Sequence, residues 1–311
     1  MQSPIHVSFS IDRSYLQHFG VTLISLFENN PFTFHVHLFS GEFEESELHE
    51  IKKITENYHS LFTFYKLEHK DFDGFFLSNH ITLASYYRIF IPELIDKNIP
   101  KLLHLDSDMI VKKSIAELWN IEMGKIIIAG IPDPNQDGEN NKRLGIPASH
   151  KYINAGVLLL NCDEWRKNNI TSVLKEFIIR SGSMLNFHDQ DALNKILFEY
   201  SLILPPKWNQ QSAVFEMPRN KLMEVYGEKE LDKAINDPSI IHYTGSSKPW
   251  DYLNLHPFKK DYFKYIEKTI WRNYTFKNVT ITKRIQKLLM RILGVNRFQK
   301  LVSKALPTYK A

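Results

Sequence analysis

A single cysteine, Cys162, stands in the 311 residues, which excludes an intrachain disulfide framework and any zinc or iron–sulfur site built on several thiolates. That usage fits a reducing compartment, and Cys162, following Asn161, reads as a small core hydrophobe. No stretch approaches the roughly 18 consecutive apolar residues of a membrane-spanning helix. Met1-Gln2-Ser3-Pro4 runs into a strand-like alternation without the basic-then-apolar start of a signal peptide. The expectation is a cytoplasmic protein with no membrane span. Acidic residues are missing after Glu267, where 11 basic side chains follow; the preceding body holds 28 basic and 35 acidic residues, so a net charge of +4 conceals a body at −7 and a basic tail. Internal repeats and low-complexity segments are absent as well. With 43% hydrophobic and 24% charged residues the composition is that of a globular protein, long enough for one large α/β domain or a domain with an appendage.

Val7, Phe9 and Ile11 alternate with His6, Ser8 and Ser10, predicting a strand that ends at Asp12. Phe19, Leu23, Leu26 and Phe27 give the inner face of a following helix, stopped by Asn29-Asn30-Pro31. A strand over 32–38, a helix on Leu48, Ile51 and Ile54, and a strand over 61–67 complete β-α-β-α-β, the opening of a nucleotide-binding α/β half. His35 and His37 share one strand face, a placement that packing beneath a helix explains. Leu83, Tyr86, Tyr87 and Phe90 predict a helix that carries Arg88 and ends near Pro92, and Ser114-Ile115-Ala116-Glu117 supplies a capping box. After a buried strand over 126–129, the polar residues 131–151 read as an irregular lid on the acceptor side. The strand over 153–160 is entered through Asn154, Ala155 and Gly156, small enough for a ligand to approach the backbone. Asp189 is placed to cap a helix over 190–198, and the chain from Pro205 to the strand 240–242 reads as less regular.

Chemistry concentrates in Leu102-Leu103-His104-Leu105-Asp106-Ser107-Asp108. An apolar run ending in two carboxylates one residue apart predicts a buried parallel strand whose carboxyl end opens into a crevice, where open α/β sheets place ligands. Two carboxylates this close repel unless something positive lies between them, and such oxygen ligands suit Mg²⁺ or Mn²⁺ held against a phosphate. Met109-Ile110-Val111 directly afterwards argues against a phosphatase nucleophile motif, which carries small residues and Thr there. The stretch His242 to Trp250 adds an imidazole at a strand end, a glycine at 245 and the point charge of Lys248. Two carboxylates and a histidine for one divalent ion, with a lysine for the remaining charge, meet the needs of a nucleotide diphosphate.

Ser10-Ile11-Asp12 with Tyr15, Tyr87-Arg88, Leu105-Asp106-Ser107-Asp108, Asn154-Ala155-Gly156, Asp189-Gln190-Asp191 and His242 to Trp250 occur in this order, and by them the chain resembles family 8 of the retaining glycosyltransferases, which includes bacterial lipopolysaccharide galactosyl- and glucosyltransferases and the glycogenins. The resemblance runs from about Val7 to Trp250. It implies a GT-A type α/β fold: a single Rossmann-like nucleotide-sugar-binding domain with a mixed, mainly parallel central sheet over 1–265, followed by basic helices over 266–311. It also implies Mn²⁺, or Mg²⁺, on Asp106, Asp108 and His242. Ser10, Asp12 and Tyr15 would hold uracil and ribose, with Tyr15 stacking on the base. Arg88, Ser107 and Lys248 would meet the diphosphate or donor sugar, Gly245 would give backbone access to phosphate, and Asn154, Ala155 and Gly156 would line the hexose. Asp189 and Gln190 fall at the reaction centre, while Asp191 reads as structural. Arg13 departs from the pattern, since many bacterial relatives carry a second acidic residue there.

The implied reaction moves glucose or galactose from a UDP-sugar to an acceptor hydroxyl with anomeric configuration retained. A front-face route is favoured, in which the donor phosphate helps deprotonate the acceptor and Gln190 stabilises an oxocarbenium-like state; Asp189 is the alternative nucleophile or sugar-orienting group. The competing reading is a non-catalytic nucleotide-sugar-binding module. In the tail, Ile285, Leu288, Leu289, Ile292 and Leu293 form an apolar stripe beside Lys283, Arg284, Lys287 and Arg291, and after Gly294 a second stripe of Phe298, Leu301 and Val302 accompanies Arg297, Lys300 and Lys304. Basic amphipathic helices suit an anionic membrane interface, so peripheral contact with the inner face of the cytoplasmic membrane is expected. No nucleic-acid motif accompanies the charge. A glycan or glycolipid acceptor such as lipopolysaccharide follows by family analogy.

Overall fold

The structure, a computed structural model, describes residues 3–41, 43–76, 83–136 and 138–294. The second basic stripe expected around 298–302 lies outside the described residues. In chain order the strands are β1 Ile5–Ser10, β2 Phe34–Ser40, β3 Leu61–Lys66, β4 Lys101–Leu105, β5 Met109–Val111, β6 Ile128–Pro132, β7 Ile153–Asn161, β8 Ser201–Ile203, β9 Gln210–Gln211 and β10 Ile240–His242. Seven of them form one sheet in the order β3-β2-β1-β4-β7-β6-β8, and β5, β10 and β9 form a second, small one. β4 is parallel to β1 but antiparallel to β7, so the predicted parallel strand is parallel on one side only, and the sheet is mixed as expected.

Alternation along the strands sorts the core into two halves. Val7, Phe9, Phe34, Val36 and Leu38 face the helix Leu16–Glu28, whereas Phe39, Leu102, Leu158 and Leu160 face the helices Ile170–Ser181 and His188–Leu197. Chain order sets where a ligand goes. β1, β2 and β3 step outward in one direction, then the chain returns to lay β4 on the other flank of β1. The carboxyl ends of β1 and β4 therefore border the point where the winding reverses, the crevice in which open α/β sheets bind ligands. The buried strands lead straight into Ser10-Ile11-Asp12 on one side and Asp106-Ser107-Asp108 on the other.

Several local expectations are corrected. The helix carrying Arg88 is only Ala84–Tyr87, and Pro92 does not end it; Pro92 opens a second helix, Ile91–Leu94, because proline's missing N–H costs nothing in a first turn. Ile115, without a side-chain cap, precedes the helix Ala116–Trp119, and Ser114 Oγ accepts only from Ala116 N at 3.3 Å, so the predicted capping box does not form. Residues 131–151 are not a bare lid: β6 runs on to Pro132 and the helix Gly138–Leu144 follows, buried through Asn141 and Leu144 alone, too little apolar pattern to read. Nor is the chain from Pro205 to β10 irregular. It holds the helices Arg219–Tyr226 and Glu228–Asn236, parted by Gly227 at φ 76° and each burying only two side chains. Beyond residue 265 the chain still packs on the body: Trp271 lies so close to Gly20 that a Cβ there would sit 2.5 Å from its ring. The helix Ile281–Leu293 then has no fully buried side chain.

Five imidazoles that folding buries wholly or in part set a pH dependence. Burial lowers His6, His18, His104 and His256 to about 4 and His37 to about 3. The unfolded chain, whose imidazoles titrate near 6.5, therefore binds more protons than the folded chain between about pH 4 and 6.5, and stability must rise as pH rises through that window. Thermal unfolding followed by circular dichroism is expected to show the midpoint climbing from pH 4 to 6.5; a midpoint flat across those values contradicts the burial of these rings.

Candidate active site

The small sheet assembles the site. β5 follows the acidic turn directly, and β10 pairs with it antiparallel, placing His242 opposite Met109. His242 Nε2 comes to 3.2 Å from Asp108 Oδ1 and 3.7 Å from Asp106 Oδ2. One oxygen or nitrogen from each of the three lies within 4.8 Å of the others, so the predicted ligand trio converges. The histidine's other nitrogen, Nδ1, donates to Asn209 Oδ1 at 2.8 Å, which leaves the Nε2 lone pair facing the carboxylates. Gly156 makes this approach possible: a Cβ there would fall 2.3 Å from His242 Cε1 and 2.9 Å from Asp106 Oδ2. The residue expected to leave room for a ligand leaves room for His242 and Asp106. An oxygen-rich trio with one imidazole fits a hard divalent ion.

Charge balance comes from two cations. Burial opposes ionisation of both carboxylates, yet Arg88 outweighs it at Asp106, and Lys248, then His242, outweigh it at Asp108, so both stay well below the ordinary range. Arg88 Nη2 donates to Asp106 Oδ1 at 3.0 Å, and Lys248 Nζ stands 2.5 Å from Asp108 Oδ2. Arg88 also donates to the Ala155 carbonyl, and its Nε sits 3.0 Å from Asp189 Oδ2. Asp189 is nevertheless pushed up to about 6, since burial outweighs its arginine. Predicted as a helix cap, it instead lies inside the first turn of His188–Leu197, while Asp191 accepts from Phe187 N at 3.0 Å and pairs with Arg143 and Tyr152.

Two adjoining clefts share Arg88 and Asp106. The first, of about 220 Å³, is bordered by Ser10, Asp12, Tyr15, Ser107 and Asp108. Ser10 Oγ is buried without a hydrogen-bond partner among the described residues. Asp12 Oδ1 accepts from Ser14 N at 2.9 Å and caps the turn Arg13–Tyr15, and Arg13 turns away to Glu47 at 2.9 Å. Tyr15 stands edge-on to Trp250, their ring centres 5.9 Å apart. Thr22 tethers the acidic turn, its hydroxyl 2.7 Å from the Ser107 carbonyl. The second cleft, of about 140 Å³, is bordered by Ala155, Gly156, Phe187, Asp189 and Gln190. Gln190 is locked in place: its Oε1 accepts from Ala155 N at 2.9 Å and Asn154 Nδ2 at 3.2 Å, and its Nε2 donates to Asp133 Oδ2 at 3.2 Å.

Gly245 is not among the residues bordering either cleft; its φ of 83° makes it a turn glycine, with nothing within 4 Å of where a Cβ would stand. Two contributors escaped the sequence reading. Asp133 carried the same signal as Asp106, a first carboxylate after an apolar strand. Asn209, wholly buried, gave none, being one of three consecutive amides. Its Nδ2 donates to Asn154 Oδ1 at 2.9 Å, linking His242 to the Gln190 network.

Several known proteins are similar to this chain. General stress protein A of Bacillus subtilis is 30% identical over 272 residues, covering 86% of this chain and 94% of its own. Lipopolysaccharide 1,2-glucosyltransferase of Escherichia coli is 28% identical over 284 residues, 88% of this chain and 80% of its own. Among solved structures, the galactosyltransferase LgtC in complex with donor and acceptor sugar analogues superposes with a TM-score of 0.76 at 21% identity, covering 90% of this chain and 99% of LgtC, which shows the same GT-A fold. Residues 6–254, nearly the whole body described above, match glycosyl transferase family 8, and the chain belongs to that family.

Proposed function

We propose that this glycosyltransferase moves a hexose, glucose or galactose, from a UDP-sugar to an acceptor hydroxyl with retention and with the help of Mn²⁺ or Mg²⁺. The observation that carries the reading is the convergence of Asp106, Asp108 and His242 beside two clefts that share Asp106. The first cleft accommodates the nucleoside, with Tyr15 against the base and Ser10 and Asp12 toward the uracil and ribose. The second takes the hexose against Asn154, Ala155 and Gly156. A divalent ion on the trio would act as Lewis acid on the diphosphate. Arg88 and Lys248 stabilise charge developing on the leaving group, and because both are already fixed by ion pairs they need little reorganisation. Gln190, held by Ala155 and Asp133, presents a rigid amide to the anomeric centre. Asp189 is held at the border of the second cleft by its ion pair with Arg88, which suits it to orienting sugar hydroxyls, and the front-face route is preferred over a covalent one.

Lipopolysaccharide stands in the names of several relatives, which supports a glycan or glycolipid acceptor. The tail agrees. Ile281, Ile285, Leu288 and Ile292, spaced along one helix face, are 55–78% exposed, with Lys283, Arg284 and Arg291 beside them. Lys287 holds the helix to the body through the Tyr252 carbonyl. No helix among the described residues is long and apolar enough to cross a membrane, and this one suits the interface of an anionic bilayer.

With Mn²⁺ and UDP-glucose or UDP-galactose, UDP release is expected, abolished by EDTA and restored by Mn²⁺. Binding of both donors without release under any metal would instead support the non-catalytic module. Asn209→Ala, which frees the His242 ring, is expected to weaken Mn²⁺ affinity about 10- to 100-fold, measured as the metal concentration giving half-maximal release. Gly156→Ala should lose release altogether while its unfolding midpoint moves little, and normal activity would contradict the close approach of His242. For the tail, Ile285→Glu with Leu288→Glu should reduce sedimentation with phosphatidylglycerol vesicles and leave hydrolysis of soluble donor intact; unchanged sedimentation would count against membrane contact.

A further inference from the structure

Three histidines gather on one face of the sheet, in the first half of β1 and from the second to the fourth residue of β2. His6 pairs in register with His35, and His37 lies two residues further along β2 on the same face. One ring nitrogen from each lies within 4.8 Å of one from each of the others. They play no part in the site described above, which opens at the other end of the same strands, roughly four residues or ~13 Å along β1.

We propose that His6, His35 and His37 form a second divalent-metal site, nitrogen-rich and of the zinc class, that pins β1 to β2. Three imidazoles with an open fourth position for water make a donor set that zinc, nickel and copper accept and that Mn²⁺ does not prefer. His6 Nδ1 and His37 Nε2 already face each other at 3.0 Å. Two nitrogens on one tetrahedral zinc, with bonds of about 2.05 Å, sit about 3.4 Å apart. Replacing the shared proton by the ion thus needs the pair to open by only a few tenths of an ångström.

The remaining ring nitrogens are held from behind, as ligating histidines usually are. His37 Nδ1 is 3.1 Å from the Tyr65 hydroxyl, and His35 Nε2 is 2.8 Å from Thr63 Oγ1, which leaves His35 Nδ1 for the ion. Both partners come from β3 on the same face, so three adjacent strands contribute to one centre. Burial, with mutual repulsion, keeps the rings neutral and their lone pairs available, and the nearby Asp96 carboxylate favours positive charge at His6. His6 and His35 are half-buried, so an ion can reach them from solvent. The strand alternation alone could not reveal this, because packing accounted for His35 and His37 until the β1–β2 register brought His6 beside them.

The test is equilibrium dialysis of the full chain against Zn²⁺ alone, with bound metal counted by elemental analysis. The wild type is expected to hold one equivalent that His242→Gln retains and that His6→Gln and His35→Gln each lose, while both of these variants keep wild-type UDP release with Mn²⁺. Co²⁺ read by visible absorption serves without any variant: intense bands of a four-coordinate nitrogen site support the proposal. The proposal is overturned if His6→Gln and His35→Gln bind as much Zn²⁺ as the wild type, if no equivalent survives His242→Gln, or if Co²⁺ shows only the weak bands of six-coordinate oxygen ligation.

Discussion

Everything around the crevice answers one electrostatic demand: two carboxylates, Asp106 and Asp108, are driven by an apolar strand into a buried position where neither can ionise cheaply. Arg88 supplies the opposing charge at Asp106 and Lys248 at Asp108, and His242 brings Nε2 close to both carboxylates. Buried ion pairs of this kind are weak sources of net stability, because desolvation offsets most of their attraction. Their value lies in fixing positions. Arg88 alone touches Asp106, Asp189 and the Ala155 carbonyl, and so ties the acidic turn after β4 to β7 and to the helix that carries Gln190.

Around that core runs a continuous network of neutral amides. Asn209, Asn154 and Gln190 pass hydrogen bonds from His242 to Asp133, and each amide is used on both its oxygen and its nitrogen. Such a network is rigid only when fully satisfied. It places the Gln190 amide at the border of the second cleft without adding formal charge there.

The legibility of the sequence followed the physics of each element. Strands with strict alternation, β1 and β2, and the apolar run of β4 could be read because burial on one or both faces leaves a periodic trace. The paired carboxylates, His242 and Lys248 could be read because their chemistry is demanding and their order along the chain is distinctive. Gly245 and Gly156 illustrate the limit: a glycine reports that a side chain is forbidden, not whether ligand, backbone torsion or neighbouring side chain forbids it. The helices Gly138–Leu144, Arg219–Tyr226 and Glu228–Asn236 bury too few residues to show a face. Asp189 was misplaced as a cap because local propensity cannot foresee an arginine arriving from a hundred residues earlier, and Asn209 carried no trace because an amide's role is set wholly by its neighbours in space.

The pairing of β5 with β10 has a bearing on how the molecule is born. The acidic turn is made early in synthesis, yet its imidazole and its lysine belong to a strand and loop that emerge from the ribosome some 130 residues later. Until Ile240 to Lys248 dock, one of the carboxylates lacks its counter-charge, and the crevice is a repulsive, hydrated notch. A nascent or clipped chain that stops short of that strand therefore holds the two carboxylates and Arg88 but neither the imidazole of His242 nor the ammonium of Lys248.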